Sequence, residues 1–358
     1  MNRAAHLPPT VSPEAVIAAR EADNTVHRWP LTPRITTRLR AKGADARRAG
    51  FEADRRARGV TITELAGGHL LMTADEPRSL GMTEEPGFGR VVARSDSDIP
   101  AIPDRVGHGS DSSRADEPST RHHTDDAWVL WIHGGGFCWG TARDGTGMRL
   151  AEGLRRPVVS VEYPLAPEAR FPVAIDVCLD AYVDGVAERG PRVLLGGVSA
   201  GANLALGVLQ RIRARRAGGE DIPLPLGMVT LTPFGDLAGQ GDSYRVNEGR
   251  DAYIRWRGQQ QRFAKAYAGG ASLLDPLVSP VHADWSGEPL PPAFFSSGTR
   301  DLFLSDAARI STAWRDAGGE AELDLAEGLW HSYLSDPRLP ESQALMARLL
   351  AWCEDRVH

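Results

Sequence analysis

The chain is poor in cysteine. Three thiols, Cys138, Cys178 and Cys353, stand in 358 residues. An odd, sparse set cannot make a disulfide framework and fits a reducing compartment. The chain also lacks any run of about 18 apolar residues, so no membrane span is expected. Residues 1–25 hold no apolar stretch long enough for a secretion signal. A large excess of one charge is missing too. The net charge of −6 and pI near 6.0 offer no basis for binding nucleic acid. These absences make a cytoplasmic globular protein the expectation. The length is ample for one large α/β domain plus a small appended region.

Residues 13–58 read as helical, with Ser12 placed to cap the first turn and Pro13 at its first position. Arginines crowd residues 34–58, Arg38, Arg40, Arg47, Arg48, Arg55 and Arg56 among them, and a solvated helix face is the expectation. Short strands are expected over 60–65 and 69–73. Residues 79–126 form a polar stretch, with no apolar periodicity over 93–126, and read as a surface loop or linker. His122, His123, Asp125 and Asp126 in it match no metal-site spacing, so no metal is expected.

From residue 128 the pattern turns regular. Short apolar strands are expected over 128–132, 158–163, 192–198, 227–232, 293–298 and 321–325. Helical segments alternate with them near 144–155, 172–188, 200–217, 305–317 and 341–355. This alternation predicts an α/β fold, a mostly parallel sheet covered by helices on both faces. Residues 234–286 interrupt it and contain an amphipathic segment over 253–267. Such an insertion belongs above the carboxyl edge of the strands, where ligands bind.

Two short motifs carry the chemistry. In Gly197-Val198-Ser199-Ala200-Gly201 a serine lies between a strand and a helix whose apolar face runs through Ala202, Ala205, Leu206 and Leu209. This is the context of a nucleophile elbow, a sharp turn that exposes a serine hydroxyl. His133-Gly134-Gly135-Gly136-Phe137 follows a strand and can offer backbone N–H groups to an oxyanion. A phosphate loop would end in Gly-Lys-Ser/Thr, whereas here Cys138-Trp139-Gly140 follows. Gly134, Gly135 and Ala200 are thus the candidate oxyanion donors. His133 is expected to orient the loop, and Cys138 to be a small buried side chain.

Chain order in such folds is serine, acid, histidine. His282 falls in the insertion and His358 at the terminus, whereas His331 follows the last strand and is the candidate base. Asp301, directly after the strand over 293–298, is the candidate acid, ahead of Asp324 and Glu327. Ser305 and Asp306 read as a helix N-cap and first turn. Trp139 and Trp330 flank these loops and are candidate pocket walls.

Together these motifs resemble the hormone-sensitive-lipase-like (family IV) esterase branch of the α/β-hydrolase superfamily. Tyr163-Pro164-Leu165-Ala166-Pro167-Glu168 with Phe171-Pro172 is similar to a third signature of that branch, and Pro233-Phe234-Gly235-Asp236-Leu237 to its segment leading into the cap. Val198 departs from the Asp or Thr usual there, and Leu302 and Ser305 replace a common Pro and acid. Gly298-Thr299-Arg300-Asp301 is similar to bacterial esterases and ε-lactone hydrolases. The resemblance implies a hydrolase domain over 59–358, with a helical cap built from residues 1–58 and the 234–286 insertion. It implies a serine carboxylesterase without cofactor, acting through an acyl-enzyme on small esters of short to medium acyl length or on lactones. An amidase or acyltransferase with the same triad, or a non-catalytic receptor on this fold, stays open, as does assembly into a homo-oligomer.

Overall fold

A computed structural model describes residues 8, 10–21, 32–42, 44–74 and 127–358. The polar stretch with His122, His123, Asp125 and Asp126 lies outside them. The strands are β1 (Val60–Glu64), β2 (Leu70–Ala74), β3 (Trp128–Ile132), β4 (Val158–Val161), β5 (Val193–Val198), β6 (Gly227–Leu231), β7 (Ala293–Gly298) and β8 (Ala321–Ala326). They form one eight-stranded sheet in the order β1-β2-β4-β3-β5-β6-β7-β8. β2 pairs antiparallel with β1 and β4, and every other pairing is parallel. Parallel neighbours need crossovers, and helices supply them.

The helices are α1 (Pro13–Glu21), α2 (Pro33–Ala41), α3 (Ala44–Arg58), α4 (Gly145–Leu154), α5 (Val173–Arg189), α6 (Ala200–Ala217), α7 (Ser243–Val246), α8 (Gln261–Ala268), α9 (Leu304–Asp316) and α10 (Pro340–Val357). Strand alternation explains how both faces of the sheet are buried. Trp128, Leu130 and Ile132 of β3 point to one face, among residues of α5, α6 and α9. Val129 and Trp131 point to the other, among residues of α4 and α10. That is why β3 and β5 are apolar throughout rather than alternating. Among the described residues no helix is long and apolar enough to cross a membrane.

The amino-terminal region, expected to be helical over 13–58, is helical in three described segments, α1, α2 and α3. Ser12 does cap α1, its Oγ accepting from Ala15 N at 3.1 Å. The same hydroxyl donates to Glu341 of α10 at 2.8 Å, which ties the two ends of the chain together. The expectation of a solvated arginine face holds only in part. Arg40 donates to the carbonyls of Cys138 (2.9 Å) and Ala166 (2.6 Å) and pairs with Glu168 at 3.1 Å. Two loops at the top of the sheet present carbonyls with no strand partner, and a guanidinium with several donors satisfies both at once.

Between β6 and β7 the chain leaves the sheet. The amphipathic segment over 253–267 is α-helical only from Gln261. Its first half is an irregular turn, Trp256–Gln260, in which Gly258 has φ +75°. Asp306, in the first turn of α9, accepts from Gly235 N (2.9 Å), Asp236 N (3.0 Å) and Tyr244 Oη (2.6 Å), anchoring the start of this insertion. Ser305 is not the N-cap of α9, since Phe303 occupies that position. Its Oγ accepts instead from Ser243 N at 3.0 Å.

Candidate active site

Ser199 lies between the last residue of β5 and the first of α6, with φ +57° and ψ −119°. A non-glycine residue pays strain in that region, and surrounding bonds must hold it there. Ser199 N donates to Leu231 O at 2.8 Å, and Ser199 O accepts from Asn203 N and Phe234 N, both at 3.2 Å. The flanking glycines are required by contact. A Cβ on Gly201 would run into the carbonyl oxygens of Ile132 and His133, and one on Gly197 into the Gly201 backbone.

The glycine-rich loop rests on this elbow. A Cβ on Gly134 would lie 2.9 Å from Val198 O and 3.3 Å from Ser199 Cβ. Gly135 has φ +113°, open to glycine alone at low cost, and its carbonyl accepts from both Cys138 N and Trp139 N. Among the described residues, no backbone hydrogen bond of these turns uses the N–H of Gly134, Gly135 or Ala200. His133 orients the loop. Its Nδ1 donates to Gly134 O at 2.8 Å, and its ring stacks on Tyr163 at 4.2 Å between centroids. Burial lowers its pKa.

Cys138 is buried beside this loop, and burial pushes its thiol up to about 12, as it does that of Cys353. Cys178 is buried as well and shifted in the same direction. A thiol-directed disulfide reagent at pH 8 is therefore expected to leave the native protein unlabelled. Three equivalents should react after denaturation. Stoichiometric labelling of the native protein would contradict this placement.

His331 and Asp301 reach the serine from separate loops. His331 Nε2 is 2.9 Å from Ser199 Oγ. Its Nδ1 faces both oxygens of Asp301, at 3.1 and 3.2 Å. A carboxylate partner puts the proton on Nδ1 and leaves the Nε2 lone pair toward the serine hydroxyl. Asp301 is fully buried and accepts from Phe303 N at 2.8 Å, which fixes the carboxylate plane. Of the rejected candidates, His282 sits in the turn Pro280–His282, and Asp324 on β8 pairs with Arg348. Neither lines the cleft above Ser199, and Glu327 does not either.

That cleft measures about 1640 Å³. Trp139 and Trp330 both line it, with Arg40 and Phe51 from the amino-terminal helices and Ile254 and Phe263 from the insertion. A Cβ on Gly136 would meet the Phe263 ring, so the insertion contacts the glycine loop itself. Reasoning from sequence missed three residues here. Arg40 was hidden within an arginine-rich run. Asn247 donates to the carbonyls of Asp301 (2.8 Å) and Thr299 (3.2 Å). Asp251 contacts the loops of both the acid and the base. Neither Asn247 nor Asp251 belongs to a motif, and no signal in the sequence pointed to them.

Comparison with known proteins bears on this geometry. A family model described as alpha/beta hydrolase fold matches residues 129–335, more than half of the chain. An esterase of Acinetobacter venetianus is 29% identical over 226 residues, 61% of this chain and 72% of that protein. The hormone-sensitive lipase of Mus musculus is 34% identical over 128 residues, 34% of this chain and 16% of that protein. The crystal structure of an esterase, E25, superposes with a TM-score of 0.75 at 23% identity, covering 98% of this chain and 96% of that one, a likeness of fold. With its strand order, its elbow and its glycine loop alike accounted for, the chain belongs to the α/β-hydrolase family.

Proposed function

We propose that the protein is a serine hydrolase that cleaves carboxylic esters through an acyl-enzyme. One observation carries the reading: a strained Ser199 whose Oγ is 2.9 Å from His331 Nε2, with the opposite ring nitrogen on a fully buried Asp301. His331 takes the Ser199 proton as Oγ attacks the ester carbonyl. Charge develops on the carbonyl oxygen, and the N–H groups of Gly134, Gly135 and Ala200 receive it, aided by the amino terminus of α6. Asp301 holds the imidazole tautomer and stabilises its protonated form. His331 then protonates the leaving alcohol, and water repeats the sequence on the acyl-enzyme. No step calls for a cofactor.

The amino-terminal helices and the insertion serve in this reading as the cap that shapes the acyl pocket, with Trp139 and Trp330 as walls. Their contacts around the cleft support it. We take short to medium acyl esters or lactones as the substrates and the cytoplasm as the compartment, the latter supported by three buried, unpaired cysteines.

A matched panel of p-nitrophenyl esters, lactones and anilides tests the reaction class, together with fluorophosphonate labelling mapped by mass spectrometry. Turnover of esters and a single adduct on Ser199 are expected. Turnover confined to anilides would make the protein an amidase. No turnover and no adduct would make it a binding protein on this fold.

A further inference from the structure

We infer that Asp251, in the insertion between β6 and β7, is a positioning residue that joins the loops of Asp301 and His331 and sets their mutual geometry, a role that rests on the esterase reading above. Asp251 is fully buried. Its Oδ2 accepts from His331 N at 3.1 Å and from Leu302 N, next to Asp301, at 3.2 Å. Its Oδ1 accepts from Tyr253 N at 2.7 Å and Ile254 N at 3.0 Å, the start of the segment lining the cleft.

Four N–H donors thus converge on two oxygens. Only a carboxylate offers acceptor sites to all four, because a protonated acid or an amide turns a donor toward one pair. One oxygen therefore spans the two loops that the catalytic step must hold together, and the other fixes a wall of the substrate cleft. The charge acts as well. The groups facing Asp251 are Asp301 and His331, with Tyr253 beside it and the Arg255 guanidinium on its main-chain carbonyl. A second anion near His331 favours the protonated imidazole that forms during acylation. Burial and the Asp301 charge push the Asp251 carboxyl up to about 6 despite its hydrogen bonds.

Asp251→Asn keeps the size and removes the charge and half of the acceptors. Rates are counted per active site titrated with a fluorophosphonate, so misfolded protein drops out. The expected result is a 10- to 100-fold fall in kcat, a magnitude of about that order for second-layer groups, with KM little changed. The acid limb of kcat/KM should move to lower pH. Asp251→Glu, which keeps the charge, should leave the limb in place and lose less of kcat. Wild-type kcat per titrated site with an unmoved limb in Asp251→Asn would overturn the inference, leaving Asp251 a folding residue. If neither variant yields sites that the fluorophosphonate titrates, the inference is overturned, because Asp251 is then required for the fold itself. Failure of the esterase reading is distinct, because the wild-type protein would then neither turn over esters nor take a fluorophosphonate on Ser199.

Discussion

Ser199→Ala is expected to lower kcat/KM for any ester the wild-type protein hydrolyses by on the order of 10⁵. The loss is large because Oγ is the atom that forms the covalent bond, and nothing else in the cleft replaces it. The effect on folding should be small. Alanine keeps the Cβ and the same backbone strain at φ +57°, and among the described residues the hydroxyl's hydrogen-bond partner is His331 Nε2 at 2.9 Å. His331→Ala should cost a comparable factor, and the double variant little more than either alone, since the two side chains act as a unit. Residual turnover should persist at roughly 10³-fold over water, because the oxyanion donors and the cleft remain. Steady-state kinetics, with circular dichroism and Tm on each variant, check the set. Turnover in Ser199→Ala within tenfold of wild type, at unchanged folding, would remove Ser199 from the reaction.

Gly201→Ala is the second large effect, and its origin is steric. The added methyl meets the carbonyl oxygens of Ile132 and His133. Ile132 ends β3, a central strand hydrogen-bonded on both sides, and the His133 carbonyl after it accepts from Tyr163 Oη, so neither retreats easily. Helix α6 must move instead, carrying Ala200 N–H away from the oxyanion position and Ser199 with it. Overpacking against backbone costs roughly 3 kcal/mol. Loss of a single oxyanion donor costs about 10²–10³ in rate. The expected variant is therefore several degrees less stable and at least a few hundredfold slower. Gly153→Ala provides the contrast. It too lies inside a helix, α4, but the nearest atoms its methyl would meet belong to the Leu350 side chain, the Cδ atoms first. A flexible side chain can turn aside, and alanine favours helix over glycine by up to about 1 kcal/mol, so stability and rate should be nearly unchanged. Thermal melts of the two variants separate backbone contact from mere loss of glycine.

Much of this protein is legible locally. The strands from residue 128 onward are short because each crosses a covered sheet once, and their apolar runs mark them without any partner being known. The elbow is legible for a similar reason. A serine between two glycines at a strand-to-helix junction needs only neighbours within a few residues to be recognised. The amino-terminal helices were less legible. Their arginines read as a solvated face, yet Arg40 serves carbonyls of Cys138 and Ala166 that stand about a hundred residues away. The insertion was legible as an interruption but not in its shape, because Gly258 and the turn held by Asp251 break a segment that the sequence marks only as amphipathic.

Residue types and their order along the chain determined the fold class, the family and the three candidates Ser199, Asp301 and His331, because a turn or a strand end is set by sequence neighbours. Only the tertiary structure decided that these three meet within hydrogen-bond distance, that Trp139 and Trp330 face one cleft with Ser199, and that Asp251 joins the loops of the acid and the base. Those relations run between residues far apart in sequence, brought together by burial and by buried donors that had to find acceptors. No local pattern records which acceptor such a donor will find.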